Sequence, residues 1–292
     1  MQEVDKDLKK LLISKIKEKR ELKPLNIEFI AKELALYILQ NKKLYIKIKT
    51  KFKSETHEVQ KSKEFKKLIK EVRARLRDLF SVFYESNFEN SGNLIKKLTS
   101  ENMDEISFEI LKLHRSSNER LRYYEEIYDN IAKLTKLKPK LILDLACGYN
   151  PFSYSFIIES FDCSPEYVCC DLSDKDITLF NIFFKKVGIN ARAFYCDLTA
   201  NREILTNINA DICFLFKALD SLETVSKYIS ETILQEINTK YFVVSFPTKS
   251  IGGNKQINPS KRTWFYKLLE KLEYSYEEFS IHNELFLVIC KS

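Results

Sequence analysis

Three acidic residues each stand near the end of a short apolar segment, in a spacing that could bind one small molecule. They are Asp144, Asp171 and Asp197, and the three segments that carry them read as successive strands. In an open α/β sheet the ligand lies across the carboxyl ends of the strands. A carboxylate after the second strand can accept both hydroxyl protons of a ribose, and one after the third can accept the exocyclic amine of an adenine. Together the three acids predict a nucleoside site.

The turn that follows Asp144 contains one glycine, Gly148. A turn that binds pyrophosphate needs the three glycines of G-x-G-x-x-G, and a P-loop ends in G-K-[ST]; this turn has neither pattern. S-adenosylmethionine offers a ribose and an adenine but no phosphate, so one glycine that admits its amino-acid end is sufficient. We therefore predict S-adenosyl-L-methionine as the cofactor.

Each of these residues also has a purely structural interpretation. A single acid at a strand end fits a helix cap or a loop, and Gly148 fits a turn that requires a positive φ. Cys147 fits packing better than a nucleophile, because no basic partner lies beside it in the sequence. Three acids at three successive strand ends favour the binding interpretation for the set.

The second half of the chain alternates between strand-like and helix-like segments. Helices fit between the first five strands, for example at residues 173–187 and 219–237, which makes these strands parallel. The last two strands are joined too tightly for a helical crossover and should pair antiparallel. This order predicts an α/β fold, the Rossmann-like seven-stranded sheet of class I S-adenosylmethionine-dependent methyltransferases, with an N-terminal helical domain. The predicted strands are residues 141–146, 166–172, 191–198, 210–217, 241–247, 276–282 and 284–290.

The first part of the chain reads as helices. Apolar residues recur at helical spacing from residue 7 to residue 40, with Pro24 between two helices and Asn26 as a cap of the second. A further helix with one apolar stripe is predicted over residues 64–84. The intervening LYIKIKTKF (44–52) alternates like a strand and equally fits a helix or an irregular segment, so the sequence leaves its structure open.

The net charge of +7 is unevenly distributed along the chain. Residues 1–140 carry 33 Lys and Arg against 22 Asp and Glu, whereas residues 141–292 carry 15 against 19. The most basic stretch is residues 41–77, with 14 Lys and Arg, four acids and interspersed aromatic residues. This pattern favours contact with RNA phosphates over a merely solvated surface. We predict an N-terminal helical RNA-binding domain at residues 1–112 and a methyltransferase domain at residues 113–292.

Composition excludes several other classes of protein. No apolar run approaches the roughly 18 residues that span a bilayer, and the first residues are too charged for a signal peptide. We therefore expect a cytoplasmic protein with no membrane contact, and a monomer. The seven cysteines include no C-x-x-C pair and the three histidines are scattered, so neither a zinc site nor any other metal site is predicted, nor are disulfides.

Several stretches resemble one family, the aminoglycoside-resistance 16S rRNA (guanine-N7) methyltransferases. The resemblance runs in order from about Leu113 to Ile289, and DLACGYNP and SFPTKSIGG are its most distinctive parts. It implies binding of S-adenosylmethionine and methylation of N7 of guanine 1405, in bacterial counting, within the assembled small ribosomal subunit. The stretches are HRSSNERLRYYEEIY (114–128), LILDLACGYNPF (141–152), LFKALDSLE (215–223), YFVVSFPTKSIGG (241–253) and HNELFLVI (282–289).

The resemblance also implies roles for individual residues. Arg120 would bind the methionine carboxylate of the cofactor, with Gly148 at the same end, Asp171 would bind the ribose, and Asp197 with Leu198 the adenine. Further cofactor-binding candidates at the strand ends are Asp144, Ala146, Leu172, Cys196 and Phe216. The catalytic candidates, which would border the target base together with the loop 250–253, are Lys217, Ser245 and Pro247. No general base is needed, because N7 of guanine already carries a lone pair; the enzyme's task is to align the reacting atoms. The guanine would leave its stack for a pocket near an aromatic residue such as Phe246 or Trp264.

The sequence departs from the family mainly on the target side. Arg115 and Ser117 replace the usual Ala and Thr, Tyr149 replaces Leu, and residues 218–221 read ALDS where T-L-P-C is usual. Two alternatives therefore stay open: a related methyltransferase with another RNA target, and a catalytically silent RNA-binding homologue. Residues 116–119 also match a capping box for a helix that runs through Tyr128.

Overall fold

The computed structural model describes residues 5–54, 58–80, 87–200, 202–249 and 256–291. The chain divides into two compact units, one of residues 1–84 with 172–175 and one of residues 85–171 with 176–292. Residues 85–112 thus lie in the second unit, whereas the sequence assigned them to the N-terminal domain. The functional boundary between residues 112 and 113 stays a prediction.

Among its described residues, the first unit has four α-helices. They are α1 (Lys6–Lys17), α2 (Ile27–Gln40), α3 (Lys42–Ser54) and α4 (Lys63–Leu79). The side chain of Asn26 accepts the backbone N–H groups of Glu28 and Phe29, which confirms it as the cap of α2. The apolar stripes of α1 and α4 are fully buried, including Leu12 and Val72, because these helices can cover their apolar faces only against each other and α2.

The segment that the sequence left open, residues 44–52, is helical and forms most of α3. Tyr45 and Ile48, three residues apart, are its buried side chains, whereas Ile46 and Lys47 between them are exposed. Burial at helical spacing therefore decides against the strand. The predicted helix at residues 64–84 is present as α4 up to Leu79, and residues 81–84 lie outside the described part of the chain.

The second unit contains one seven-stranded sheet with the strand order β3-β2-β1-β4-β5-β7-β6. The first five strands pair in parallel, and β7 pairs antiparallel with both β5 and β6. The predicted fold class is confirmed. The strands are β1 (Leu141–Leu145), β2 (Glu166–Asp171), β3 (Ala191–Tyr195), β4 (Ala210–Phe216), β5 (Thr239–Pro247), β6 (Ser275–Ile281) and β7 (Glu284–Cys290).

Helices cover the sheet and precede it in the second unit. Leu143, Leu145, Val244 and other alternate sheet residues pack with the helices into a buried cluster. The helices are α5 (Ser91–Lys97), α6 (Met103–Leu111), α7 (Arg115–Arg120), α8 (Tyr124–Thr135), α9 (Tyr154–Phe161), α10 (Asp174–Val187), α11 (Glu203–Thr206), α12 (Leu219–Val225), α13 (Ile229–Glu236) and α14 (Thr263–Lys271).

Two helix predictions are wrong. The capping box at residues 116–119 does not start a helix, because Ser116 lies inside the short α7 and a second helix, α8, begins only at Tyr124. The predicted helix at residues 219–237 is two helices, α12 and α13. Tyr228 stands between them at φ +65°, and the carboxylate of Glu223 accepts its backbone N–H at 2.9 Å, which ends the helical path.

All seven cysteines lie in the described part of the chain, where none of them forms a disulfide, and five are buried. Within the described residues, no three His, Cys, Asp or Glu side chains cluster so that they could hold a metal ion. In the same part of the chain, no helix combines the length and the apolar composition that crossing a membrane requires.

Candidate active site

The loop after β1 is tied to the end of β2 by backbone hydrogen bonds. The N–H of Cys147 donates to the carbonyl of Cys170 at 3.1 Å, and the N–H of Gly148 donates to Oδ2 of Asp171 at 2.9 Å. Ala146 and Gly148 have φ values of +49° and +51°, the left-handed conformation that turns the chain back toward β2. The loop thus holds the Asp171 carboxylate at the carboxyl edge of the sheet.

His114 packs directly on this loop. A Cβ atom added to Gly148 would lie 2.9 Å from a ring carbon of His114, so the backbone must be that of glycine here. The imidazole stacks on Tyr149 with ring centroids 5.1 Å apart. Burial, together with the charges of Arg120 and Lys217, lowers the pKa of His114 to about 3, so the ring is neutral. An uncharged aromatic wall therefore backs the glycine loop.

Asp144 is almost completely buried, with 1% of its surface exposed. Its Oδ2 accepts the Nδ2–H of Asn150 at 2.7 Å and the hydroxyl of Tyr167. Burial raises the pKa of Asp144 to about 7, against the two hydrogen bonds, which act to lower it. The structure therefore gives this acid partners within the protein, whereas the sequence placed it among the residues that contact the cofactor.

The end of β3 places a second carboxylate beside the first. The N–H of Cys196 donates to the carbonyl of Asp171 at 3.2 Å, so the β2 and β3 ends are adjacent. Oδ1 of Asp197 accepts the backbone N–H and the hydroxyl of Thr199 at 2.9 and 2.7 Å, which fixes its orientation. Cys196 and Leu198 are buried on either side. Leu172 belongs to the first unit, where its carbonyl accepts the N–H of Asn26 at 3.0 Å.

The end of β4 turns sharply at Lys217, which has a φ of +54°. Its N–H donates to the carbonyl and to the hydroxyl of Ser245 on β5, both at 3.0 Å. A left-handed conformation is unfavourable for a lysine by roughly 1–2 kcal/mol, so these bonds must hold it. The turn brings the ammonium of Lys217 to the carboxyl edge.

Glu284, the first residue of β7, accepts bonds from three predicted site residues. Arg120 donates to it through Nε at 3.1 and 3.0 Å and through Nη2 at 2.7 Å. The ammonium of Lys217 lies 3.0 Å from its Oε2, and the hydroxyl of Ser245 donates to its Oε1 at 2.5 Å. Lys217 also pairs with Glu119 at 2.8 Å. We call Arg120, Lys217, Glu284 and Glu119 the charge cluster.

Arg120 and Glu284, the most buried members of the charge cluster, hold each other in their charged forms. Burial alone would lower the pKa of the Arg120 guanidinium, but the charge and hydrogen bonds of Glu284 raise it above its ordinary value. Burial alone would raise the pKa of Glu284, but the charges of Arg120 and Lys217 hold it below its ordinary value. The Arg120 guanidinium also lies 4.9 Å from the ring centroid of Phe216.

The end of β5 forms the opposite side of the site. Ser245 is buried within the charge cluster, and Pro247 stands directly across from Glu284 in the β5–β7 pairing. Arg262 donates to the carbonyl of Pro247 and lies 5.4 Å from the ring centroid of Phe246. Phe246 is 1% exposed and belongs to the core, so its ring faces are unavailable to a base. The predicted loop at 250–253 lies outside the described residues.

A family model described as ribosomal RNA methyltransferase (FmrO) matches residues 98–289. The match covers 192 of the 292 residues. The chain belongs to this family. Its membership confirms the resemblance found at residues 113–289 and, with it, the assignment as an rRNA methyltransferase.

Individual relatives and solved structures agree with the family match. A 16S rRNA (guanine(1405)-N(7))-methyltransferase of Micromonospora echinospora is 25% identical over 231 residues, 76% of this chain and 82% of that protein. One of Proteus mirabilis is 31% identical over 151 residues, 51% of this chain and 52% of that protein. The structure of 16S rRNA methyltransferase RmtF in complex with S-adenosyl-L-homocysteine has the same fold, with a TM-score of 0.77 at 20% identity over 99% of this chain and 100% of that one.

Sequence reasoning missed three residues of this family member's site. Glu284 lies 164 positions from Arg120 and carries no motif of its own, although it stands in the HNELFLVI stretch. Glu119 was assigned only to a capping box. His114 was read as one of three scattered histidines, and only its place at the head of the HRSSNERL stretch could have drawn attention to it.

Replacing Gly148 with Ala tests the packing of the loop against His114. We expect a loss of about 2–4 kcal/mol in the free energy of unfolding, from the strained φ and from the clash with the ring. Gly188→Ala is the matched control, because Gly188 also has a positive φ but open space around it, and should cost only about 1–2 kcal/mol. Urea unfolding of both variants measures the difference, and equal losses would contradict the close packing.

His114 makes a testable contribution to pH dependence. Its pKa is depressed in the folded protein, so between pH 6.5 and pH 3 the unfolded chain takes up a proton that the folded chain does not. Stability from this residue is therefore lost as the pH falls. Urea unfolding measures how much the free energy of unfolding falls between pH 7 and pH 5. We expect this fall to be about 2 kcal/mol smaller for His114→Gln than for the wild type. The same loss in both proteins would show that the imidazole is protonated in the fold.

Proposed function

We propose that this protein transfers a methyl group from S-adenosyl-L-methionine to N7 of guanine 1405 of 16S rRNA in the small ribosomal subunit. The family match covers most of the second unit, and relatives from Micromonospora and Proteus carry the name of this activity. The observation that carries the proposal is the arrangement at the carboxyl edge of the sheet: a guanidinium at one end and the carboxylates of Asp171 and Asp197 at the other.

The residues at this edge fit the cofactor by their chemistry. Arg120 offers a guanidinium to a carboxylate, Asp171 is held by Gly148 to accept ribose hydroxyls, and Asp197 beside buried Leu198 suits an adenine. The β1 turn has one glycine and no lysine, which matches a ligand without phosphate. When bound, S-adenosyl-L-methionine supplies a methyl group on a positively charged sulfur.

Asp144 and Ala146 act through the loop. The Asp144 carboxylate accepts bonds from Asn150 and Tyr167 and so fixes the turn that carries Gly148, while Ala146 supplies the left-handed bend. Phe216 supports the Arg120 guanidinium from below. Cys196 follows the end of β3 and contributes buried apolar surface beside Asp197.

The protein's contribution to the reaction is alignment and exclusion of water. Guanine N7 is a hydrogen-bond acceptor with a free lone pair, so no residue has to remove a proton. Lys217, Ser245 and Pro247 border the target base in the proposal. Because Ser245 bonds both the backbone of Lys217 and the carboxylate of Glu284, these residues form one rigid wall. Such positioning can lower the barrier by up to roughly 7–11 kcal/mol.

The first unit supplies the RNA-binding surface in this proposal. Residues 1–84 hold 23 Lys and Arg against 12 Asp and Glu, which accounts for the whole positive excess of the first 140 residues. A groove between α1 and α4, with a volume of about 470 Å³, is lined by six cations and one acid. They are Lys15, Lys19, Lys66, Lys70, Arg73, Arg77 and Glu18.

The arginines and lysines of the groove differ in what they bind. Arg73 donates to the carbonyls of Lys15 and Ile16 at the end of α1, and Arg77 pairs with Glu21 at 2.8 Å. Lys66 and Lys70, one turn apart on α4, are exposed. The two arginines therefore stabilise the unit, and Lys66 and Lys70 are groups available to phosphates.

The direct test is methylation of purified small subunits with labelled cofactor, followed by mapping of the modified base. We expect label on guanine 1405, in assembled subunits more than in free 16S rRNA. Label on another nucleotide would establish the related methyltransferase instead. Cofactor binding without any label, or no binding by calorimetry at millimolar concentration, would indicate a silent homologue.

The variant Lys66→Glu/Lys70→Glu tests the groove. We expect subunit binding to weaken by at least tenfold at low salt, because two phosphate contacts become repulsions, while cofactor affinity stays unchanged. The matched control is Lys63→Glu/Lys67→Glu, which makes the same charge change on the same helix outside the groove. Filter binding measures the subunits and calorimetry the cofactor. An equal loss in both variants would assign binding to net charge and not to the groove.

A further inference from the structure

Glu284 joins the two ends of the proposed site through one carboxylate. It bonds Arg120, which would face the cofactor, and Lys217 and Ser245, which would face the target base. The register of β5 and β7 sets it opposite Pro247. No other carboxylate among the described residues bonds both Arg120 and Lys217.

The charge cluster would carry a net positive charge without this residue, because Glu119 alone would balance its two cations. The side chains of Arg120 and Lys217 are only 5% and 8% exposed, so water screens them poorly. Glu119 balances Lys217 from a side chain that is 38% exposed, whereas Glu284 is 5% exposed and lies between the two cations. The buried negative charge at this place therefore comes from Glu284.

A methyl donor of the sulfonium type brings a further positive charge to this place. Without Glu284, the buried Arg120 would lose its carboxylate partner and Lys217 would keep only the partly exposed Glu119, so the site would repel this donor more than its neutral demethylated product. We propose that Glu284 is a positioning residue whose negative charge lets a site built on Arg120 and Lys217 accept a cationic donor. This inference rests on the proposed function, because it assumes that S-adenosyl-L-methionine binds at this edge.

The same charge would act throughout the methyl transfer. The N7 lone pair of guanine forms a bond to the methyl carbon while the sulfur–carbon bond breaks and its electron pair stays on sulfur. No proton moves, and the positive charge passes from sulfur to the purine ring. Because Glu284 bonds residues at both ends, its carboxylate lies where it can stabilise the positive charge before and after the transfer.

Glu284 also determines which edge of Arg120 remains for a ligand. It occupies the Nε–Nη2 edge of the guanidinium, and Phe216 lies under the guanidinium plane. A cofactor carboxylate must therefore approach from another side of the group. Charge and orientation thus come from one residue, Glu284, whose partners Arg120 and Ser245 lie far from it in the sequence.

The test compares the affinity of the donor with that of S-adenosyl-L-homocysteine, which differs by one methyl group and one positive charge. Glu284→Gln keeps the side-chain volume and removes the charge. In this variant we expect the affinity for S-adenosyl-L-methionine, divided by the affinity for S-adenosyl-L-homocysteine, to fall roughly tenfold. This is the effect expected when one unit charge at about 10 Å is removed from a partly screened interior. Calorimetry without RNA measures both ligands, and Glu277→Gln on exposed β6 is the control whose ratio should stay at the wild-type value.

A purely structural role would weaken both ligands equally and leave the ratio unchanged, which would overturn the inference. Lys217→Met removes a cation, so the affinity ratio should rise above the wild-type value. In the double variant Glu284→Gln/Lys217→Met, the ratio should return toward the wild-type value. If circular dichroism shows that Glu284→Gln does not fold, Lys217→Met alone tests the inference. An affinity ratio that is unchanged or lower in Lys217→Met would then refute the charge role of Glu284. Wild-type protein that binds neither ligand would instead refute the proposed function.

Discussion

Two buried cations that share one buried carboxylate set the constraint on which the site depends. Leaving Arg120 without Glu284 would cost on the order of 3–5 kcal/mol, since a buried charge that loses its partner is not resolvated, whereas Lys217 would keep the partly exposed Glu119. The carboxylate reaches both only because β7 pairs with β5 in a register that sets Glu284 across from Pro247. A slip of one residue would turn Glu284 to the other face of the sheet. The C-terminal hairpin is therefore part of the site and not only its edge.

Strained backbone occurs where the strands end in this site. Ala146 after β1 and Lys217 after β4 are both left-handed although neither is a glycine. Neighbouring hydrogen bonds hold both residues in this conformation. Cys147 and Gly148 bond the loop of Ala146 to β2, and Lys217 makes two bonds to Ser245. Strain of this kind persists only where neighbouring structure holds it, and it is concentrated at functional sites. Both turns direct polar groups toward the carboxyl edge.

The sheet could be predicted from the sequence because each strand is a short apolar run bounded by polar residues, and observed strand ends differ from the predicted ones by at most three residues. The predictions failed where a single backbone or side-chain interaction decides. Tyr228 breaks a helix through a left-handed φ that propensity does not encode, and Ser116 lies inside α7 instead of capping it. The role of Glu284 could not be predicted, because its partners are distant in the chain and become neighbours only through the β5–β7 pairing.

Acids at strand ends fall into two kinds, which sequence alone cannot separate. Asp144 and Asp171 lie near the carboxyl ends of the neighbouring strands β1 and β2, yet Asp171 is partly exposed and Asp144 is 1% exposed, and Oδ2 of Asp144 accepts hydrogen bonds from Asn150 and Tyr167. Burial raises the pKa of Asp144 to about 7, so the protein gives up stability near neutral pH to keep this carboxyl in its place. That cost is understandable if the rigid turn it braces must hold Gly148 against His114 and leave the Asp171 carboxylate facing outward.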